Sequence, residues 1–170
     1  MTAPADRLTL VLGGARSGKS AHAEGLVAAL PPPWTYIATA QAFDAEMRER
    51  IAEHRRRRDA RWATLEAPLD LAGALAAAQG PVLVDCLTLW LTNLMLAEVD
   101  RDAAFAALEA ALDAAPRPVV LVSNEVGLGI VPDNALARAF RDEAGRLNQR
   151  LARRAERVLF LVAGLPMVVK

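Results

Sequence analysis

One short segment of the sequence combines residue types that bind phosphate. Residues 13–20 read GGARSGKS and match the pattern G-x-x-x-x-G-K-[ST], with Gly13, Gly18, Lys19 and Ser20 in register. An apolar run, LTLVLGG, precedes the glycines, and an alanine-rich helical pattern follows them. Glycines allow backbone N–H groups to converge on a phosphate at the N-terminus of the following helix. The segment therefore predicts a phosphate-binding loop in which Lys19 reaches the β- and γ-phosphates and the Ser20 hydroxyl ligates Mg²⁺.

Asp85 is the candidate for a second oxygen ligand of that metal. It ends the apolar run PVLVD, and the end of such a strand would lie beside the phosphate loop. The alternative is an aspartate that only caps the next turn. Together these features predict binding of a nucleoside triphosphate with Mg²⁺. They leave an ATPase, a kinase and a GTP-driven switch open, because all three classes share this phosphate site.

His54 is the second candidate for chemistry, because it directly precedes four arginines. At 100° per residue, Phe43, Met47, Ile51, His54 and Arg58 fall within about 80° of one helix face, which would dock onto the protein. A neutral imidazole is a nucleophile toward phosphorus, and nearby cations favour that neutral form. Guanidinium groups also bind phosphate oxygens in pairs. Residue types alone leave two interpretations, a covalent nucleotidyl carrier or a basic helix end that complements the helix dipole.

Composition limits the classes of protein that these residues can serve. The chain has 170 residues, is 54% apolar and carries 20 basic and 20 acidic side chains. The balanced charge argues against a nucleic-acid partner, and no aromatic stacking platform accompanies the arginines. The single cysteine, Cys86, excludes an internal disulfide framework and fits a reducing compartment. We find no leader-like N-terminus and no apolar run of membrane-spanning length, so we expect a cytoplasmic protein.

The elements that must position these residues alternate along the chain. Apolar runs predict strands at 8–14, 34–40, 81–88 and 118–125, and one or two strands at 157–170. Helical patterns occupy 20–30, 42–61, 68–79, 89–99, 100–115 and 133–156. This alternation predicts a single α/β domain over residues 1–170, with a mainly parallel sheet flanked by helices on both faces.

Six segments, taken in order, resemble one enzyme family: GGARSGKS, YIATA, FDAEMRERIAEHR, VDCLTLWLTN, SNEVGLGIVP and FRDEAGRLNQRLA. The family is the bifunctional adenosylcobinamide kinase / adenosylcobinamide-phosphate guanylyltransferase of cobalamin biosynthesis. The resemblance covers the chain from Leu8 to the C-terminal strand. It implies a RecA-like P-loop NTPase fold and a homotrimer whose sites lie near subunit boundaries.

The resemblance also assigns roles to individual residues. It implies that His54 carries GMP covalently and that Lys19 acts in phosphoryl transfer, with Mg²⁺ held by Ser20 and Asp85 and with GTP, ATP or both as co-substrate. The nucleotide contacts that it implies are Gly13, Gly14, Ala15, Arg16, Ser17, Gly18, Lys19, Ser20, Thr39, Ala40, Gln41, Arg55, Arg56, Arg57, Arg58, Glu66 and Asp85.

Two reactions follow from this resemblance. In the first, the γ-phosphoryl group of a nucleoside triphosphate passes to the aminopropanol hydroxyl of adenosylcobinamide. In the second, His54 takes GMP from GTP and passes it to adenosylcobinamide phosphate, which gives adenosylcobinamide-GDP.

The glycine-containing loop SNEVGLGIVPDN follows a predicted strand and would lie at the carboxyl edge of the sheet, where ligands of open α/β sheets bind. We expect Asn124 and Glu125 to bind or orient the corrinoid side chain. A turn in which both residues only cap backbone groups is the alternative.

Two rival functions remain. A P-loop kinase of another small metabolite would leave His54 structural and would take no label from α-labelled GTP. A nucleotide-dependent switch would hydrolyse GTP slowly and would yield no phosphorylated small molecule.

Overall fold

The computed structural model describes residues 6–41, 45–56 and 58–170. Within 45–56 it describes the side chains of all residues except Glu46, Met47, Arg50, Glu53 and His54. The strands are β1 (Leu8–Gly13), β2 (Trp34–Ala38), β3 (Trp62–Glu66), β4 (Val82–Asp85), β5 (Val119–Asn124), β6 (Arg157–Val162) and β7 (Leu165–Val168). The helices are α1 (Lys19–Ala28), α2 (Ala45–Arg56), α3 (Leu71–Ala77), α4 (Leu87–Leu96), α5 (Arg101–Ala114) and α6 (Ala135–Arg154).

The strands of the described residues form one seven-stranded sheet in the order β3-β2-β4-β5-β1-β6-β7. β1 to β6 pair in parallel, and β7 pairs antiparallel with β6. The sequence therefore predicted the α/β class and the mainly parallel sheet correctly. Parallel strands bring their carboxyl ends to one edge, where Gly13 is paired in register with Asn124, and Ala38 with Asp85.

Both faces of the central part of the sheet are buried, as the apolar strands there require, whereas the edge strand β7 is exposed. On one face, Val11, Leu83 and Val122 pack with the α1 residues Ala23 and Val27. The larger cluster on the other face includes Leu10, Ile37 and Leu121 from the strands and Trp90 and Phe105 from α4 and α5. Each such leucine or aromatic contributes about 1.5–3 kcal/mol by leaving water, so the two clusters stabilise the sheet that positions the carboxyl edge.

The region that follows β2 differs from the prediction. The helix expected over 42–61 ends at Arg56, residues 42–44 and Arg57 lie outside the described residues, and the unpredicted β3 begins at Trp62. Asp59 explains why the helix does not continue, since its side chain accepts a 2.9 Å hydrogen bond from the backbone N–H of Arg61. Such local bonds compete with the helical pattern. In the C-terminal segment, the two-strand alternative is correct.

Among the described residues, no helix combines the length and apolar character that crossing a bilayer requires.

Candidate active site

The loop between β1 and α1 has the tight backbone that a phosphate cradle needs. A Cβ on Gly13 would lie 2.4 Å from the Ser17 Oγ, and Gly18 has a φ of 90°, in the left-handed region. Gly18 immediately precedes Lys19, the first residue of α1. The loop therefore presents its backbone at the positive end of that helix, which is the geometry that binds phosphate.

The turn between β6 and β7 supports this loop from the side. The Gly164 N–H donates a 2.8 Å hydrogen bond to the Ser17 carbonyl oxygen. A Cβ on Gly18 would lie 3.1 Å from the Gly164 Cα, so the two glycines pack closely. The C-terminal hairpin thus contributes to the shape of the phosphate loop, although it lies far from it in sequence.

Lys19 is buried at the start of α1 and donates a 3.0 Å hydrogen bond from Nζ to the Gly14 carbonyl oxygen. Burial lowers the pKa of Lys19, an effect that Cys86 and Asp85 partly oppose. A buried ammonium group is costly without a negative partner. Phosphate oxygens held in the loop would supply that partner.

Asp85 lies at the end of β4 and faces the same side of the sheet as Tyr36. The Tyr36 hydroxyl donates a 3.0 Å hydrogen bond to the Asp85 Oδ2. Burial, followed by the charge of Asp85, raises the pKa of the Tyr36 phenol above its usual range. The hydroxyl therefore stays protonated and remains a donor to the carboxylate.

The oxygen donors suit Mg²⁺. Ser20 and Asp85 line the same cavity as Lys19, and hydroxyl and carboxylate oxygens are ligands that this hard cation prefers. The described residues contain no cluster of three or more His, Cys, Asp or Glu side chains that would enclose a metal. A nucleotide-bound Mg²⁺ usually takes one or two protein ligands, substrate phosphates and water.

These residues surround a cavity of about 420 Å³. Its lining comes from the phosphate loop, the carboxyl edge of the sheet and the α2 region: Ala15, Arg16, Lys19, Ser20, Tyr36, Ala38, Ala40, Ile51, Arg55, Arg58, Asp85, Cys86, Leu89 and Asn124. The volume is within the range of small-molecule sites.

A second cavity of about 650 Å³ adjoins the first. Ala38, Ala40, Ile51 and Arg55 line both, so α2 borders a continuous cleft. The second cavity is lined in addition by Gln41, Arg48, Ala52, Glu66 and Pro68. The structure thus brings the expected residues Ala40, Gln41, Arg55 and Glu66 together, and the Arg55 guanidinium pairs with the Glu66 carboxylate.

The arginines after His54 have different environments. Arg58 lies in the turn after α2, its guanidinium carbon 3.5 Å from the centroid of the Tyr36 ring. Arg56 is exposed at the end of α2, and Arg57 lies outside the described residues. His54 belongs to α2, whose backbone borders the cleft, but its side chain is not among those described. Its proposed role stays a prediction.

Thr39 is fully buried and connects the ends of β2 and β4. Its Oγ1 donates a 2.6 Å hydrogen bond to the Cys86 carbonyl oxygen and accepts a 3.0 Å bond from the Cys86 N–H. Asn93 donates from Nδ2 to the Thr39 carbonyl oxygen at 2.8 Å. These bonds indicate that the Thr39 side chain supports the site rather than facing a ligand.

The two residues expected to contact the corrinoid, Asn124 and Glu125, differ in their positions and hydrogen bonds. Asn124 lines the first cavity, and its backbone N–H donates a 2.7 Å bond to the Thr88 Oγ1. The Glu125 carboxylate accepts a 2.7 Å bond from the Gly127 N–H, as the capping alternative expects. Both assignments stay predictions, and Asn124 has the better position.

Tyr36 and Leu89 line the cavity but were not predicted as site residues. A tyrosine inside an apolar strand carried the signal, because a buried phenol needs a hydrogen-bond partner. No comparable sequence signal marked Leu89, because the spacing of leucines around it is that of any buried helix.

Comparisons with known proteins identify the family to which the chain belongs. The family described as "Cobinamide kinase / cobinamide phosphate guanyltransferase" matches residues 9–169. The "Bifunctional adenosylcobalamin biosynthesis protein CobP" of Pseudomonas aeruginosa is 56% identical over 166 residues, which cover 95% of this chain and 96% of that protein. The "Bifunctional adenosylcobalamin biosynthesis protein CobU" of Salmonella typhimurium is 45% identical, and that of Escherichia coli 42%. Each alignment covers 96% of this chain and 99% of the relative.

The match spans nearly the whole chain and includes both the phosphate loop and the region that carries the arginines. The chain therefore belongs to the cobinamide kinase / cobinamide phosphate guanyltransferase family, an enzyme family whose description combines the two activities.

Proposed function

We propose that this protein phosphorylates adenosylcobinamide and then converts the product to adenosylcobinamide-GDP. The observation that carries the proposal is the single cleft between the phosphate loop and α2. Lys19, Asp85, Arg55 and Arg58 line it together, so that one bound nucleotide could contact all four. The names of the relatives support both the pathway and the pairing of two activities.

The first reaction is phosphoryl transfer. The aminopropanol hydroxyl oxygen attacks the γ-phosphorus, the bond to the bridging oxygen breaks, and the hydroxyl proton leaves with solvent. Lys19 and the N–H groups of residues 13–20 neutralise the charge that spreads over the phosphate oxygens. Mg²⁺, bound by Ser20, Asp85 and the phosphates, would offset the charge of the triphosphate.

The second reaction is guanylyl transfer through His54. An imidazole nitrogen attacks the α-phosphorus of GTP, the bond to the bridging oxygen breaks, and pyrophosphate leaves. A phosphate oxygen of adenosylcobinamide phosphate then attacks the same phosphorus, the P–N bond breaks, and His54 is regenerated. Arg55 and Arg58 line the cavity where they can bind the phosphates. A covalent intermediate of this kind gives ping-pong kinetics.

Labelling with α-labelled GTP tests the covalent step. We expect wild-type protein, incubated with Mg²⁺ and denatured, to retain label that is acid-labile and base-stable, as a phosphoramidate is. His54→Asn should retain none. His22→Asn is the matched control, since His22 is the only other histidine and lies in α1. It should label like the wild type.

Kinase activity is measured separately, with γ-labelled ATP or GTP and adenosylcobinamide. His54→Asn should keep this activity, because Lys19 and the phosphate loop are unchanged. Absence of label on wild-type protein that binds GTP would contradict the histidine intermediate and favour the kinase of another metabolite. Slow GTP hydrolysis without any phosphorylated corrinoid would favour the switch.

A further inference from the structure

Tyr36 lines the nucleotide cavity and contacts both Asp85 and Arg58. We propose that it is a positioning residue, whose hydroxyl orients the Asp85 carboxylate and whose ring holds the Arg58 guanidinium. The proposal rests on the proposed function in one respect, namely that Asp85 helps to hold Mg²⁺.

The hydroxyl of Tyr36 serves no packing purpose that a phenylalanine would not serve equally well. The residue is buried within β2, next to Trp34 and Leu83 in the apolar cluster on the α1 face of the sheet. Its ring lies edge-on to Trp62, with centroids 6.4 Å apart. The 3.0 Å hydrogen bond to the Asp85 Oδ2 explains why a phenol is buried at this place.

The strand register makes this contact possible. Asp85 pairs with Ala38, two residues after Tyr36, so both side chains project from the same face of the sheet. The hydrogen bond engages Oδ2 and fixes the rotation of the carboxylate. Among the described residues, Oδ1 accepts no hydrogen bond and is available to a cation. Partners that orient a ligating carboxylate in this way increase metal affinity.

The ring of Tyr36 positions Arg58. The guanidinium lies over the ring face, and its Nη1 is buried without a hydrogen-bond partner within the described part of the chain. A buried guanidinium N–H that lacks an acceptor is costly, and a phosphate oxygen in the cavity would satisfy it. Since Arg58 lies in a turn beyond the end of α2, the stacking contact replaces the support that a helix would give.

Tyr36→Phe isolates the hydroxyl, because it keeps the ring and the stacking. The Kd of GTP is measured by calorimetry in EDTA and at saturating Mg²⁺, with every variant made in a His54→Asn background so that GTP is not consumed. The Mg²⁺ dependence of pyrophosphate release is measured in parallel on proteins that keep His54. Asp85→Asn serves as the reference for loss of the metal ligand. Thr35→Val is the matched control, since it removes another buried hydroxyl of β2, one that donates a 2.7 Å bond to the Gln79 carbonyl oxygen outside the cavity.

We expect the Kd of Tyr36→Phe for metal-free GTP to lie within about twofold of the wild-type value. The increase in GTP affinity that Mg²⁺ produces should be about tenfold smaller than in the wild type, or about 1.4 kcal/mol. Raising Mg²⁺ should restore its rate of pyrophosphate release. Thr35→Val should lower the melting temperature and leave the Mg²⁺ dependence unchanged. Tyr36→Leu, which also removes the stacking, should weaken metal-free GTP binding about fivefold more than Tyr36→Phe does.

The outcomes separate the two assignments. Wild-type Mg²⁺ dependence in Tyr36→Phe, together with a clear loss in Asp85→Asn, would overturn the role of the Tyr36 hydroxyl. It would leave the metal role of Asp85 intact. Equal metal-free affinities of Tyr36→Leu and Tyr36→Phe would overturn the role of the ring. No effect in Asp85→Asn would overturn the metal role of Asp85 and, with it, the orientation proposed for Tyr36.

Discussion

Cys86 shows at the scale of a single residue how a potentially reactive group is kept inert beside the phosphate site. The thiol follows Asp85 directly and is buried in the structure. Burial, and then the charge of Asp85, raises the pKa of the thiol to about 11. Because only the thiolate is nucleophilic, the side chain is a small apolar group at neutral pH and not a second candidate for covalent catalysis.

This position predicts slow alkylation. In the folded protein at pH 8, we expect iodoacetamide to modify Cys86 at least about 100-fold more slowly than in guanidinium chloride, since two pKa units remove about 99% of the thiolate. The rate should rise as the pH approaches 11, because the raised pKa keeps the thiol neutral below that value. Mass spectrometry of the intact protein measures both rates. Equal rates in the folded and unfolded protein would show that the thiol is accessible and ionised.

The sequence predicted part of the site at this scale. The proximity of Lys19, Ser20 and Asp85 could be predicted because spacing and strand ends determine their positions, and the structure places all three around one cavity. Tyr36 was not found, because its contact with Asp85 depends on the pairing of two strands that are distant in sequence. The structural role of Thr39 was missed for the same reason, since its hydrogen bonds run to the β4–α4 junction.

At the scale of elements, the phosphate loop depends on the strand before it, the helix after it and the β6–β7 turn beside it. The strand–loop–helix unit is local and was predicted from the sequence. The support from Gly164 and the existence of β3 were not, because both depend on contacts between distant segments.

Substituting one glycine in the phosphate loop and one in α1 separates the effect of the loop backbone from that of the helix. Gly18→Ala places a Cβ at a φ of 90° and close to the Gly164 Cα. It should lower the free energy of unfolding by about 1–2 kcal/mol and weaken GTP binding at least tenfold, because the loop must open. Gly25→Ala is the control, since in the described part of the chain no atom beyond the adjacent backbone of α1 lies within 4 Å of its Cβ position. It should stabilise the protein by about 0.5–1 kcal/mol and leave binding unchanged.

Denaturant unfolding and calorimetric titration with GTP measure these effects on the two variants. A Gly18→Ala protein with wild-type stability and affinity would show that the left-handed backbone at Gly18 is not needed for the cradle.

At the scale of the whole molecule, exposed apolar side chains cluster beyond the carboxyl end of β5. In the loop between β5 and α6, Leu128 is 80% exposed, Ile130 96% and Val131 61%. Leu136 at the start of α6 and Leu96 at the end of α4 are exposed as well, and both line one shallow apolar groove. Large apolar surfaces of this kind usually mark contacts between proteins. The loop starts beside Asn124, so a partner bound here would lie next to the nucleotide cavity.

We therefore expect this surface to be buried in the homotrimer that the family resemblance implies. Light scattering coupled to size-exclusion chromatography should give a trimer for the wild type and a smaller species for Ile130→Glu, because the buried charge would lack a partner. Met167→Glu tests the rival surface, the exposed apolar side chains of the C-terminal hairpin (Val162, Leu165, Met167, Val168 and Val169), and should not alter assembly. The opposite pattern, in which Met167→Glu dissociates the oligomer and Ile130→Glu does not, would place the interface on the C-terminal hairpin. It would also connect assembly to the phosphate loop through the Gly164–Ser17 hydrogen bond.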